Sequence, residues 1–252
     1  MFEEERHKQI LQLLHDGRMV AVSSLAKRLF VSEATVRRDL TALEKEGLVR
    51  RVYGGAVRVG VNRDVPLMMR ETEAMQAKQR IGRLAAELVQ ENDVILLDAS
   101  STVYSMIPYL RDFKNVVAVT SGIKTAMALG ERHIKTYLTG GEMIDNSYSM
   151  IGGHAEELIR SLNADTLFFS CRGISADGRL TDSSVEEARL RQLMFRHVKR
   201  RVFLAASNKL ERDYFYVLGH IADMDDVICD EPLPAAFLAG KTGEGPRVHV
   251  AR

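Results

Sequence analysis

Across residues 31–56 the chain reads VSEATVRRDLTALEKEGLVRRVYGGA, and Val36, Leu40 and Leu43 recur at the spacing of one helical face. Ser32 precedes that face as a helix cap, and Gly47 follows it where a left-handed stop is wanted. LVRRVYGGAV then alternates loosely and breaks at Gly54-Gly55, as a short hairpin or wing does. Upstream, Ile10, Leu11, Leu13 and Leu14 mark an amphipathic helix over residues 2–14, ended by Asp16-Gly17. Met19 to Val22 form a short extended link. Ser23-Ser24 are read as the cap of a second helix, with Leu25, Ala26 and Leu29 inward, and a tight turn at Val31-Ser32 leads into the third. Three short helices, the last two joined by a tight turn and followed by a wing, make the winged helix-turn-helix pattern.

Periodicity fades over residues 58–75, where Gly60, Asn62 and Pro66 interrupt it, so 59–75 is expected to be a linker. A helix over 74–90 follows, with Ile81, Leu84, Ala85 and Leu88 on one face. VILLDASS is then a continuous apolar run ending in small polar residues, the pattern of a buried parallel strand and its C-terminal loop. Helices are predicted at 103–110, 123–129, 155–161 and 185–199, and further strands at 116–120, 135–138, 166–169 and 202–205. Such alternation predicts a mostly parallel α/β sheet over 76–230. The stretch 231–252 holds three of the chain's five prolines and is expected to be loosely ordered.

Charge sharpens the first half of this picture. Residues 18–58 carry nine Lys/Arg against four acids, whereas the whole chain sums to +1, so the remainder is −4. A basic island on a slightly acidic body is the footprint of a phosphate-backbone contact, although a basic run alone also fits a solvated charged face. On the third helix Ser32, Thr35, Arg37, Arg38 and Thr41 are candidates for base or phosphate contacts. Arg50, Arg51, Tyr53 and Gly54 are candidates on the wing. Asp39 is expected to orient Arg38 or an adjacent helix, since phosphates would repel it.

In open α/β sheets ligands sit beyond the carboxyl ends of the strands. There this sequence places Asp98-Ala99-Ser100-Ser101-Thr102, Thr120-Ser121-Gly122, Thr139-Gly140-Gly141, Ser170-Cys171-Arg172-Gly173 and Ser207-Asn208-Lys209. Hydroxyls and backbone N–H groups at helix starts suit an anion, although Ser101 or Thr102 could also be ordinary caps. Gly140 and Gly141 would let a ligand approach the backbone. Five strand ends of this kind, with Arg172 and Lys209 among them, point to a small, phosphorylated, hydroxyl-rich molecule. Lys209 is a candidate phosphate or carbonyl partner.

At these residues the chain resembles the DeoR family of transcriptional regulators. The family run V-S-x-x-T-[IV]-R-R-D-L-x-x-L-E-x-x-G-x-[VIL]-x-R-x-x-G-G-A stands unbroken at 31–56. Looser motifs, LLDASST, VTSG, LTGGE, FFSCRGIS and LAASNK, carry the likeness over 78–230. The resemblance implies an α/β protein: a small winged helix-turn-helix domain at 1–58, then a mostly parallel α/β domain similar to ribose-5-phosphate isomerase. It implies a repressor of sugar or nucleoside genes that sugar phosphates relieve. The chain departs from the family's usual residues at Ser100, Ser121 and Ala206. The isomerase's catalytic glutamate falls near Glu186 or Glu187, but the acidic cluster of its fourth loop is replaced by SCRGIS, so binding without turnover is expected. The rival reading, an isomerase with a basic appendage, has only Asp98 and Glu186 or Glu187 to offer. A single winged domain gives little contact, so a homodimer or homotetramer on double-stranded operator DNA is expected.

The remaining composition excludes more than it adds. No apolar run approaches a membrane span, and the start MFEEERHKQI resembles neither a secretory signal nor a transit peptide, so a cytoplasmic protein without membrane partners is expected. Cys171 and Cys229, the two cysteines, are read as free thiols in a reducing compartment. The seven histidines lack ligand spacing, so neither a metal nor another cofactor is expected.

Overall fold

The computed structural model describes residues 2–14, 20–46, 48–52, 54–58, 67–110, 114–145, 147–238 and 245–252. Asp16, Gly17, Met19, Gly47, Tyr53 and residues 59–66 of the expected linker lie outside the described residues, as does the side chain of Arg50. The chain forms two compact units, Met1–Pro66 and Leu67–Arg252.

The first unit runs α1 (Glu3–Leu13), β1 (Val20–Ala21), α2 (Val22–Leu29), α3 (Glu33–Lys45), β2 (Val49–Val52) and β3 (Gly55–Arg58). Its core joins Ile10 and Leu14 after α1, Val22, Leu25 and Leu29 of α2, Val36, Leu40 and Leu43 of α3, and Val49 and Ala56 of the wing. The three short strands pair antiparallel in the order β1-β3-β2. One expectation is corrected here. Ser23 and Ser24 do not cap α2, because the helix already begins at Val22 with Ala21 before it. The Val22 N–H donates to the Gly54 carbonyl at 3.0 Å, so the wing, rather than a serine hydroxyl, closes that helix start.

The second unit runs α4 (Leu67–Thr72), α5 (Met75–Ala86), β4 (Val94–Leu97), α6 (Ser101–Tyr104), β5 (Val117–Thr120), α7 (Ile123–Glu131) and β6 (Lys135–Leu138). Then come β7 (Glu142–Ile144), β8 (Ser149–Ile151), α8 (Gly153–Arg160), β9 (Ala164–Phe169), β10 (Gly173–Ile174), β11 (Arg179–Asp182), α9 (Val185–Arg196) and β12 (Val198–Ala205). β13 (Tyr216–His220), β14 (Asp226–Cys229), α10 (Ala235–Leu238) and β15 (Arg247–Val250) complete it. Seven strands form one sheet in the order β15-β14-β12-β9-β4-β5-β6, every pair parallel. Alternate strand residues feed two cores. Leu96, Leu167, Phe169 and Phe203 pack under α8 and α9, while Ile95, Leu97, Phe168 and Val202 pack under α5, α6 and α7.

Three expectations change. Residues 67–72, assigned to the linker, form α4, with Leu67 buried. The helix expected over 103–110 is a four-residue helix followed by a 3-10 turn, Ile107–Tyr109, because Pro108 cannot continue an α-helical ladder. The loosely ordered tail holds β15. Arg247 and His249 both reach buried Asp226, at 3.0 and 2.8 Å, and fasten that strand along β14.

Candidate functional site

In the first unit, α3 presents one end for contact. Ser32 caps it, its Oγ accepting the Thr35 N–H at 3.1 Å, and the two hydroxyls lie 2.9 Å apart. Buried Asp39 takes the Arg6 guanidinium with both oxygens, at 2.6 and 2.9 Å, so of the two expected roles it holds the adjacent helix α1. Glu3 and His7 stand near the same carboxylate in a grouping a cation could fit, but Arg6 already occupies it. Arg37 is exposed and held by Glu33 at 2.8 Å. Arg38 is exposed, and no described residue bonds its guanidinium. Thr41 donates to the Arg37 carbonyl at 2.8 Å and accepts from Arg51 of the wing at 2.8 Å. The Arg51 N–H also meets Glu44, at 2.8 Å, which locks the wing onto α3. Gly54 turns the wing with φ +78°, a left-handed value that a side chain resists.

The second unit reverses its strand order between β4, which leads to β5, and β9, which lies on the other side of β4. Beyond this switch point the expected residues meet others that the sequence did not single out. Asp98, fully buried, accepts the Ser100 N–H at 2.9 Å and the Ser170 N–H at 3.1 Å. It also receives Arg191 Nε at 2.8 Å, while Arg191 Nη1 reaches Asp182 at 2.7 Å. Arg172 Nε stands 3.8 Å from Asp182 and Glu187 stands 4.0 Å from Arg191. Lys209 Nζ donates to Thr102 Oγ1 at 3.2 Å, Ser170 Oγ at 2.5 Å and the Cys171 carbonyl at 2.8 Å. Lys78 Nζ donates to Ser101 Oγ at 3.1 Å and to the Arg70 carbonyl.

Arg70, Lys78, Arg172, Arg191 and Lys209 thus share one cluster with the carboxylates Asp98, Asp182 and Glu187, and Glu71 and Glu73 also act on Lys78. Burial, then the neighbouring Lys209, lowers Lys78 to about 7, and burial lowers Lys209 to about 8. Arg191 moves the other way, because Asp182 and Asp98 more than offset its burial. Burial pushes the Cys171 thiol up to about 12, which leaves it inert as a nucleophile. Glu187 is buried on the inner side of α9 while Glu186 is exposed, and no described residue donates to Glu187 Oε2.

The other expected effector residues serve the backbone. Ser100 caps α6 through the Val103 N–H at 3.2 Å, and Thr120 Oγ1 accepts the Gly122 N–H at 3.0 Å. The Ser121 carbonyl accepts the Met150 N–H at 2.7 Å. Gly140 has φ +68° with open space around it, but Gly141 is not a ligand approach: a Cβ there would lie 2.1 Å from the Ile151 carbonyl, so β8 is what the glycine admits.

Arg70, Lys78, Asp182 and Arg191 join the cluster from outside the strand-end motifs, and no local signal in the sequence marked them.

A model of the DeoR-like helix-turn-helix domain matches residues 6–60, and a model of the DeoR C terminal sensor domain matches residues 73–231. The chain belongs to the DeoR family. As a DeoR-family protein it is a DNA-binding transcriptional regulator rather than an enzyme, with a helix-turn-helix unit ahead of a sensor unit. It is 34% identical over 212 residues to the HTH-type transcriptional regulator GolR of Listeria innocua, covering 83% of this chain and 84% of that one. It is 27% identical over 235 residues to the lactose phosphotransferase system repressor of Staphylococcus epidermidis, covering 91% and 93%. Ribose 5-phosphate isomerase A of Methanocaldococcus jannaschii aligns with 54% of each chain at 15% identity and a TM-score of 0.41, too slight a likeness to argue from. Among the described residues no helix is long and apolar enough to cross a membrane.

Proposed function

We propose that this regulator is a cytoplasmic repressor of carbohydrate-use genes, released from its operator by a phosphorylated sugar. The observation that carries the reading is the cluster beyond the β4–β9 switch point, where Lys78 and Lys209, lowered by burial, meet the hydroxyls of Ser101, Thr102 and Ser170. A phosphate of charge near −2 at neutral pH favours the charged form of both lysines and accepts their hydrogen bonds. The undonated Glu187 Oε2 supplies an acceptor for a sugar hydroxyl. The staphylococcal relative, a lactose phosphotransferase system repressor, supports the same reading.

On the DNA side, Thr35, Arg37 and Arg38 at the start of α3 enter the major groove. Ser32, Thr41, Arg50, Arg51, Tyr53 and Gly54 steady the helix start and the wing against phosphates. A homodimer or homotetramer reads repeated half-sites, because one winged domain buries too little surface for gene-level specificity. The sugar phosphate releases the operator by binding one arrangement of the oligomer better than the other.

The deciding experiment is binding of the purified full chain to its own upstream DNA at fixed salt, with a panel of sugar phosphates and the matching free sugars. Salt is fixed because phosphate contacts make affinity steeply salt-dependent. The expected result is specific binding abolished by one phosphorylated sugar and untouched by its unphosphorylated form. Equal action by the free sugar would defeat the anion-pocket reading.

A further inference from the structure

Phe30 ends α2 in the left-handed region, with φ 56° and ψ 40°. The turn into α3 requires that conformation. The N–H groups of Phe30 and Val31 both return to the Ala26 carbonyl, the second at 3.1 Å, which closes the helix end and turns half-buried Val31 back onto the core. Glycine is the usual residue at such an end, and a bulky side chain there costs stability. Packing does not offset that cost, for Phe30 is 95% exposed. An exposed apolar residue alone is ordinary. A phenylalanine that is both exposed and held left-handed gives the fold nothing that glycine would not, and its ring is open to a contact outside the chain.

Phe30 lines an open hollow with Ser23 and Lys27 of α2 and with Ser32 and Glu33. Ser32 is the cap of α3 and Glu33 its first residue, so the hollow runs into the end of the helix that carries Thr35, Arg37 and Arg38. Exposed Lys27 and Arg28 flank the ring from the last turn of α2. Glu33, the acid on the rim, is tied to Arg37 at 2.8 Å. An apolar ring beside two cations fits a surface with anionic edges and an apolar group between them. The major groove of DNA has that character, with phosphates along its borders and the thymine methyl on its floor.

We infer that Phe30 is a specificity residue of the DNA-binding unit, its ring packing on a thymine methyl while Lys27 and Arg28 hold the flanking phosphates. The inference rests on the reading that α3 enters the major groove. It adds a base-selective apolar contact from the turn to the polar contacts of helix and wing. The ring carries no charge, so its contact displaces no counterions and is insensitive to salt.

The test uses the full chain and the duplex it selects from a pool of random sequence. Glycine accepts the left-handed backbone, so the unfolding midpoint of Phe30→Gly is expected to equal or exceed that of the wild type. Its affinity for the selected duplex is expected to fall about tenfold with an unchanged salt dependence. Replacing the thymines by uracil, one at a time, removes single methyl groups from the duplex. One such replacement is expected to weaken wild-type binding about fourfold, as the burial of one methyl implies, and to leave Phe30→Gly unaffected. Wild-type affinity in Phe30→Gly, with Arg38→Ala weakened, overturns this assignment and leaves α3 in the groove. Weaker binding by Phe30→Gly that no uracil replacement reproduces overturns the thymine contact. Full affinity in both variants, or selection of no duplex, overturns the groove reading and this inference with it.

Discussion

Arg191 sits 2.8 Å from Asp98, ninety-three positions away in the chain, and both are buried. One side chain from the middle of α9 thereby closes the loop that follows the first strand of the large sheet. Its other arm reaches Asp182 at 2.7 Å, so a single guanidinium ties the loop after β4 and the end of β11 to α9.

Replacing Arg191 by Met leaves Asp98 and Asp182 buried without their counter-charge. Loss of one partner from a buried network costs about 3–5 kcal/mol. A lower midpoint in thermal or urea unfolding of the second unit checks this, and an unchanged midpoint would show that the two carboxylates find other partners.

Anion affinity should depend on pH through the two lysines. Burial has lowered Lys78 to about 7 and Lys209 to about 8, so both lose charge as pH rises through that window. A bound anion favours the charged forms, hence binding takes up protons there and weakens above it. Sulfate is the clean probe because its own charge stays fixed. Its affinity, titrated from pH 6 upward, is expected to fall about tenfold for each lysine's worth of charge lost.

The same depressed values carry a stability consequence of definite sign. The unfolded chain binds a proton at these lysines up to about pH 10, well above their folded values. Stability of the ligand-free protein should therefore rise with pH between about 8 and 10 on account of these groups. Lys78→Met is expected to flatten that rise in urea titrations.

Arg38→Ala removes an exposed guanidinium that no described residue bonds, so little stability is at stake. A base or phosphate contact of this kind is worth about 1–3 kcal/mol. Operator affinity should fall by that amount while sulfate binding to the pocket stays unchanged. A parallel loss of both would contradict the separation of the two roles.

Asp226 anchors β15 through Arg247 and His249 and holds Arg200 at 2.6 Å. Burial alone would raise its pKa, but the bonds to Arg200 and His249 prevail and hold it below the usual carboxylate value. Its contribution to stability is therefore complete above the unfolded value near pH 4 and disappears as pH falls through the lower folded value. Asp226→Asn should lower neutral-pH stability and free residues 247–252 for hydrogen exchange. Wild type and variant should converge in acid.

The sequence by itself determined what neighbours in the chain can determine. The Ser32 cap and the face made by Val36, Leu40 and Leu43 are complete within one helix, so the third helix of the helix-turn-helix unit was legible from spacing and capping alone. The strand ends rich in hydroxyls were legible for the same reason, and they placed Asp98, Thr102 and Lys209 correctly at one end of a parallel sheet. Tertiary structure decided which of them meet. Strand order put β9 between β4 and β12 and so brought Ser170 to both Asp98 and Lys209, while Thr120 and Gly141 were left to backbone closure. Arg70, Asp182 and Arg191 carry no local pattern that separates them from surface charges. Their role comes from burial beside opposite charge, which exists only once distant segments pack. The tail shows the same rule: Arg247 and His249 look like solvent-facing residues until Asp226, buried on β14, gives them a partner.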